Sequence, residues 1–176
     1  MINWIGNKRI QVNEWVWKCL RQYRANCGIG ADVQVRHIRA DGSIASDRKY
    51  HNIVVNGGLN YLRSLVGNDT GAGGALWINL SSNALAPGAA DTDLLATIYT
   101  ANGLQRAVGA YAAGGTGVYT SYKEFTNADA QHSVKSVGLT YEDGVNKLLA
   151  GVAVTEALLE VGDKLQITWT CTFSSV

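Results

Sequence analysis

Proline occurs once in 176 residues, at Pro87, and charged residues make up only 16% of the chain. Apolar content is nevertheless an ordinary 47% and glycine is plentiful at 20 residues, which excludes a charge-rich disordered polymer and points to a globular, turn-rich β protein. No run approaches the roughly 20 apolar residues of a membrane helix. The start, Met1-Ile2-Asn3-Trp4-Ile5-Gly6-Asn7-Lys8-Arg9, lacks the charged-then-apolar order of a signal peptide, so the expectation is a protein made and used without general secretion. Cysteine is scarce too: Cys19, Cys27 and Cys171 form an odd set without a CxxC pair. Reduced thiols are expected, with a Cys19–Cys27 pair as the alternative. No HExxH, GxSxG or close histidine spacing accompanies His37, His51 and His132, which excludes the familiar zinc and serine-hydrolase signatures and leaves these histidines as surface or hydrogen-bonded groups. Gly67–Gly74 lacks the Lys-Ser/Thr of a phosphate-binding loop. The neighbouring acids Asp91/Asp93 and Glu142/Asp143 fall at expected loops and read as caps and turn formers, because a glycosidase needs carboxylates that face each other. The chemistry visible in the sequence therefore predicts no enzyme, no metal and no cofactor.

What is present is alternation. Leu165, Ile167, Trp169, Cys171 and Phe173 point one way in the C-terminal stretch, and Lys164, Gln166, Thr168, Thr170 and Thr172 point the other. Period 2 in β-branched and aromatic residues predicts a long strand with one face on a core. Earlier segments supply its neighbours. Val33 to Val55 reads as a hairpin around Asp41-Gly42, a strong two-residue turn signal. A short helix is expected through Leu59, Leu62, Leu65 and Val66, and a central strand at Leu76–Leu80. Ser81 to Thr92 reads as a small-residue loop. Further strands are expected at 96–100, 105–111, 117–126, from Val134 to Tyr141, and through Leu148, Ala150, Val152 and Val154, with turns at Asp143-Gly144 and Val161-Gly162-Asp163. About eight short strands with glycine turns define a mainly β chain, an antiparallel β-sandwich of jelly-roll or immunoglobulin-like type.

The N-terminal part differs from this body. Residues 1–50 carry nine Lys/Arg against four acids, whereas 51–176 carry six against ten. Residues 1–11 show no period and read as an extended arm. Val12, Val16, Leu20, Tyr23 and Cys27 then recur at helical spacing, between Asn13 as a cap and Gly28 as a stop. Trp17, Arg21 and Arg24 occupy another face. Two readings stand: a core helix with solvated arginines, or a docking helix. In the docking reading, Trp4, Trp15, Trp17 and Tyr23 supply apolar contact area, while Lys8, Arg9, Lys18, Arg21 and Arg24 steer the arm to an acidic partner. Nucleic acid is not expected, since the body is acidic and the total charge is only +1. Gly28 to Asp32 reads as a connector, placing an arm-and-helix domain at 1–31 and the sandwich at 32–176.

Several short motifs follow one another in the sandwich segment. Arg39-Ala40-Asp41-Gly42 precedes His51-Asn52-Ile53-Val54-Val55-Asn56-Gly57-Gly58-Leu59-Asn60-Tyr61-Leu62. Next come Leu76-Trp77-Ile78-Asn79-Leu80, Ala86-Pro87-Gly88-Ala89-Ala90-Asp91-Thr92-Asp93-Leu94, Ser136-Val137-Gly138-Leu139, Leu148-Leu149-Ala150 and Leu165-Gln166-Ile167-Thr168-Trp169. In order and spacing this resembles a widespread group of tailed-bacteriophage virion proteins, over roughly residues 32–174. The chain departs from that pattern at Leu80-Ser81-Ser82-Asn83, where the group tends to have Gly-Thr-Gly, and at Ser136-Val137, where it tends to have an acid. The resemblance implies a structural β-sandwich without catalytic residues, located in the virion after synthesis in the host cytoplasm. The first expectation is a capsid cement or decoration protein on the major capsid protein lattice, acting as a homo-oligomer in a symmetric assembly. The alternative is a tail, baseplate or fibre component, or a carbohydrate-binding domain on a fibre. A membrane role is not expected.

Overall fold

The computed structural model describes residues 27–59, 74–96 and 102–175. Among the described residues ten strands run in chain order: β1 (Cys27–Ile38), β2 (Ile44–His51), β3 (Ile53–Val54), β4 (Trp77–Ser81), β5 (Ala107–Val108), β6 (Ala110–Ala113), β7 (Val118–Thr126), β8 (His132–Thr140), β9 (Leu148–Leu159) and β10 (Lys164–Ser175). They form two five-stranded sheets, ordered β2-β1-β10-β7-β6 and β3-β9-β8-β4-β5. The chain is mainly β, with the two antiparallel sheets of a β-sandwich. The predicted closing strand takes the middle of the first sheet. It pairs with β7 from Lys164↔Thr126 to Thr172↔Val118.

Alternation sets the core. Leu165, Ile167, Trp169 and Cys171 of β10 are buried, and Val33, Val35 and Phe125 join them from β1 and β7. Ile78, Leu80, Val137, Leu139, Ala150 and Leu159 face them from the second sheet. Phe173 departs from the expected pattern, at 40% exposed. Alternation fixes the side of the sheet, not how deeply a side chain on that side is buried.

At both lateral edges the chain passes from one sheet to the other, the usual way of making corners in packed sheets. On one edge the expected hairpin arm 44–55 breaks at Asn52. The Asn52 N–H donates to the Ala31 carbonyl (3.3 Å), and the Ala31 N–H donates to Asn52 Oδ1 (3.2 Å). Beyond that point β3 pairs with β9 through Ile53↔Gly151. On the other edge the predicted strand 105–111 becomes β5 in one sheet and β6 in the other. Gly109 is the pivot: its N–H donates to the Leu76 carbonyl (2.7 Å), and a β-carbon there would collide with Ser121 Oγ. The Asp41-Gly42 turn forms as expected, with Gly42 at φ 86° and its N–H donating to the Arg39 carbonyl (2.9 Å).

The chain divides into two compact units between Gly28 and Ile29, within the connector expected at Gly28–Asp32, but that stretch is strand. β1 begins at Cys27 and runs through both glycines, and the compact sandwich unit spans Ile29–Thr172. Ala31 is buried at 6% exposure and tied to Asn52, so the sandwich starts before residue 32. Residues 56–59 are helical, at the start of the predicted helix. The remainder of that helix, the loop 67–73, the strand at 97–100, the N-terminal arm and helix, and the state of Cys19 and Cys27 lie outside the described residues and side chains. Cys171 is a free, buried thiol whose pKa is pushed up by desolvation, against a smaller opposing effect of Tyr119.

Candidate functional site

The partner-binding residues expected from the sequence, Trp4, Lys8, Arg9, Trp15, Trp17, Lys18, Arg21, Tyr23 and Arg24, all lie outside the described residues. Within the sandwich, the dispersed motifs converge on the outer face of the second sheet. In its register Asn79, Gly138, Gly151 and Ile53 stand side by side across β4, β8, β9 and β3. Two directly opposed glycines leave a trough in an otherwise side-chain-covered face. Residues 82–96, which take in most of the loop expected at Ser81–Thr92, form a strap that fills it. A β-carbon on Gly138 would lie 3.1 Å from Leu94 Cδ1, and one on Gly151 would lie 2.7 Å from Pro87 Cγ. Leu94 also completes a small buried cluster with Val55 and Leu148. The face is therefore covered by the strap, and β8 is buried on both sides from Ser136 to Thr140.

Hydrogen bonds pin the strap along its length. The Asn56 N–H donates to the Ala89 carbonyl (2.8 Å), and the Leu148 N–H to the Thr92 carbonyl (2.9 Å). Ser81 Oγ donates to the Leu95 carbonyl, and Thr92 Oγ1 to Asn146 Oδ1 (2.9 Å). Asp91 accepts from the Gly88 N–H (2.8 Å), which makes it the turn former that the sequence suggested. Asp93 likewise accepts from the backbone N–H of Leu94 (2.9 Å), and it shares a further role with Asp143. They flank Arg106 at 3.7 and 3.8 Å, and the arginine side chain is only 6% exposed. Arg106 Nε–H donates to Asn79 Oδ1 (2.5 Å) and Nη1 to the Gly144 carbonyl. One buried guanidinium thus joins the strap, the 141–147 turn and the central strand β4. A buried charge is tolerated when paired and hydrogen-bonded in this way, and costs about 3–5 kcal/mol when a partner is removed. Sequence reasoning missed Arg106. Its available signal was a lone arginine opening an uncharged stretch, Ala107 to Tyr122.

A second polar cluster sits where the β1–β2 and β9–β10 turns meet. His37 is buried rather than at the surface, and its Nε2 donates to Asp163 Oδ2 at 2.7 Å. An ionised carboxylate can only accept, so the shared proton belongs to that nitrogen. Asp163 also accepts from the backbone N–H groups of Ala40 (2.8 Å) and Glu160 (3.1 Å). Burial works to raise the Asp163 pKa; the hydrogen bonds from His37, Glu160 and Ala40 outweigh it and hold the carboxyl below its ordinary value of 3.8. Nearby, Asn127 Nδ2 donates to the Ala130, Leu159 and Glu160 carbonyls. His51 and His132 are hydrogen-bonded as expected, to Asp32 (2.5 Å) and Asp129 (2.9 Å).

The outer face of the first sheet is polar. Asp47 accepts from Gln34 (2.6 Å) and Arg36, and Glu124 from Lys164 and Gln166 (both 2.9 Å). These bonds lower both carboxyl pKa values, led by Gln34 at Asp47 and by Gln166 at Glu124. A shallow depression of about 200 Å³ lies between Asp32, Gln34, Lys49, Thr168 and Thr170. That is smaller than the roughly 300–1,000 Å³ of ordinary ligand pockets. Among the described residues, no group of three His, Cys, Asp or Glu side chains is placed to hold a metal ion, and no helix is long and apolar enough to cross a membrane. The polar side chains brought together here hold turns and a strap in place. No protein-family model, curated protein or solved structure matches the chain.

Proposed function

We propose that the chain is a structural protein of a tailed-bacteriophage particle, acting as a capsid cement or decoration protein on the major capsid protein lattice. The supporting observation is the convergence of the motifs that carry the resemblance. The Ala86–Leu94 strap lies on Gly138 of one motif and on Leu148 of another, and it is tied to Asn56 of a third. Residues spread along the chain thus build a single packed device, which is how a short-motif pattern acquires a physical reason to persist as a set. The polar clusters fit a load-carrying module: they fasten turns and edges. The basic N-terminal segment, with Trp4, Trp15, Trp17 and Tyr23 beside Lys8, Arg9, Lys18, Arg21 and Arg24, is the docking element of this proposal.

The test is location. Intact particles carrying this chain, separated into heads and tails, should show it on heads by quantitative immunoblot and by immunogold labelling of the icosahedral shell. Label confined to tails would move the assignment to the tail, baseplate or fibre alternative. Absence from washed particles would end the virion reading.

A further inference from the structure

We propose that β6 is a self-association edge, at which two copies of this chain join their first sheets by antiparallel β6–β6 pairing about a two-fold axis. Exposed edge strands are normally defended by charge, proline or bulges, because their free N–H and C=O groups template pairing. The two edges of the first sheet differ in this respect. β2 presents exposed Asp47, Arg48 and Lys49. β6 presents Ala110, Tyr111, Ala112 and Ala113, all exposed, within a run from Ala107 to Tyr122 that contains no charged residue, no histidine and no proline.

The direction of the backbone groups follows from the hairpin. The Gly114 N–H donates to the Val118 carbonyl (2.9 Å), in the register that pairs Ala112 with Thr120 and Ala110 with Tyr122. Hydrogen-bonded and non-hydrogen-bonded pairs alternate in an antiparallel ladder. Ala110 and Ala112 therefore bond to β7, and Tyr111 and Ala113 turn their N–H and C=O outward. A two-fold axis at Ala112 sets Tyr111 opposite Ala113 of the second copy, so both outward residues exchange backbone bonds. Each tyrosine, 60% exposed and stacked on Tyr119 at 5.9 Å, then meets an alanine rather than another tyrosine.

The same features select the occupant. Pairing about this axis sets Ala112 opposite its own copy and Tyr111 opposite Ala113, so no like charges, which are unfavourable when directly opposed, face each other. The neutral β6 edge accepts a copy of itself, whereas β2 carries the exposed charges Asp47, Arg48 and Lys49 that ordinarily defend an edge. Because two-fold pairing uses the β6 edge of both copies at once, it closes at a dimer instead of growing into a fibre. This goes beyond the virion reading and stands or falls separately from it.

Sedimentation velocity on the full chain over a concentration series tests it. Wild type should sediment as a dimer at high concentration. Ala112→Lys sets two lysines face to face across the axis, and Ala113→Pro removes an outward N–H while leaving the bonds to β7. Each should weaken dimerisation at least tenfold with an unchanged far-ultraviolet circular dichroism spectrum. Lys49→Ala, on the opposite edge, should leave the dimer unchanged. A chain that stays monomeric throughout, or a dimer indifferent to both β6 variants, would overturn the proposal.

Discussion

Gly151→Ala tests whether the strap is a packed part of the fold. The added β-carbon would lie 2.7 Å from Pro87 Cγ and 3.4 Å from Leu94 Cδ2. Pro87 is a rigid ring in a segment pinned at Ala89 and Thr92, so it cannot swing aside as a flexible side chain would. Either the strap lifts from the sheet or β9 bends. Overpacking of this kind costs about 1–3 kcal/mol. Pro87→Ala removes the obstructing atom and costs stability in its own right by uncovering the trough. If the strap is seated as described, the two changes compensate, and the double variant is more stable than the sum of the single effects by roughly 0.5–3 kcal/mol. Urea denaturation followed by tryptophan fluorescence gives the four stabilities, with the slope checked for constancy across variants. Strictly additive effects, or a Gly151→Ala protein as stable as wild type, would refute the packing argument.

Trp169 is fully buried and its indole Nε1–H has no acceptor among the described residues. Trp169→Ala should therefore cost about 3–5 kcal/mol. Trp169→Phe should cost clearly less, since it also deletes an unsatisfied donor worth about 1–3 kcal/mol; equal losses in thermal melts would contradict the burial. The Asp163 carboxyl lies below 3.8 in the fold, so its contribution is complete above that unfolded value and is lost as pH falls through the folded one. Asp163→Asn should be less stable than wild type at neutral pH, with the gap narrowing as the solution is acidified below about pH 5. Parallel stability curves would count against this. Truncation should respect β1: a chain starting at Cys27 keeps both bonds between Ala31 and Asn52 and should fold as a β protein, whereas one starting at Asp32 loses them and should melt at a lower temperature. Identical melting of the two would show that the Ala31–Asn52 tie is dispensable.

The sequence by itself determined which faces of the strands point inward. In β10 the period of 2 is a property of the backbone, so Leu165, Ile167, Trp169 and Cys171 were legible as core before any neighbour was known. The turn at Asp41-Gly42 was equally legible, because glycine at φ 86° is a local demand. Tertiary structure alone decided what lies above or beside those strands. Phe173 has the right parity yet stays 40% exposed. Gly28 and Gly30 look like a joint but lie inside β1, because strand pairing outweighs the modest cost of glycine in a strand. The changes of sheet at Asn52 and Gly109 depend on bonds to Ala31 and Leu76, each distant in sequence. The strap over Gly138 and Gly151, and the burial of Arg106 and His37, are likewise contacts between segments far apart along the chain. Alternation and turn chemistry act within a few residues and can be read in line; the partner that fills a trough or neutralises a buried charge is chosen only when the two sheets close on each other.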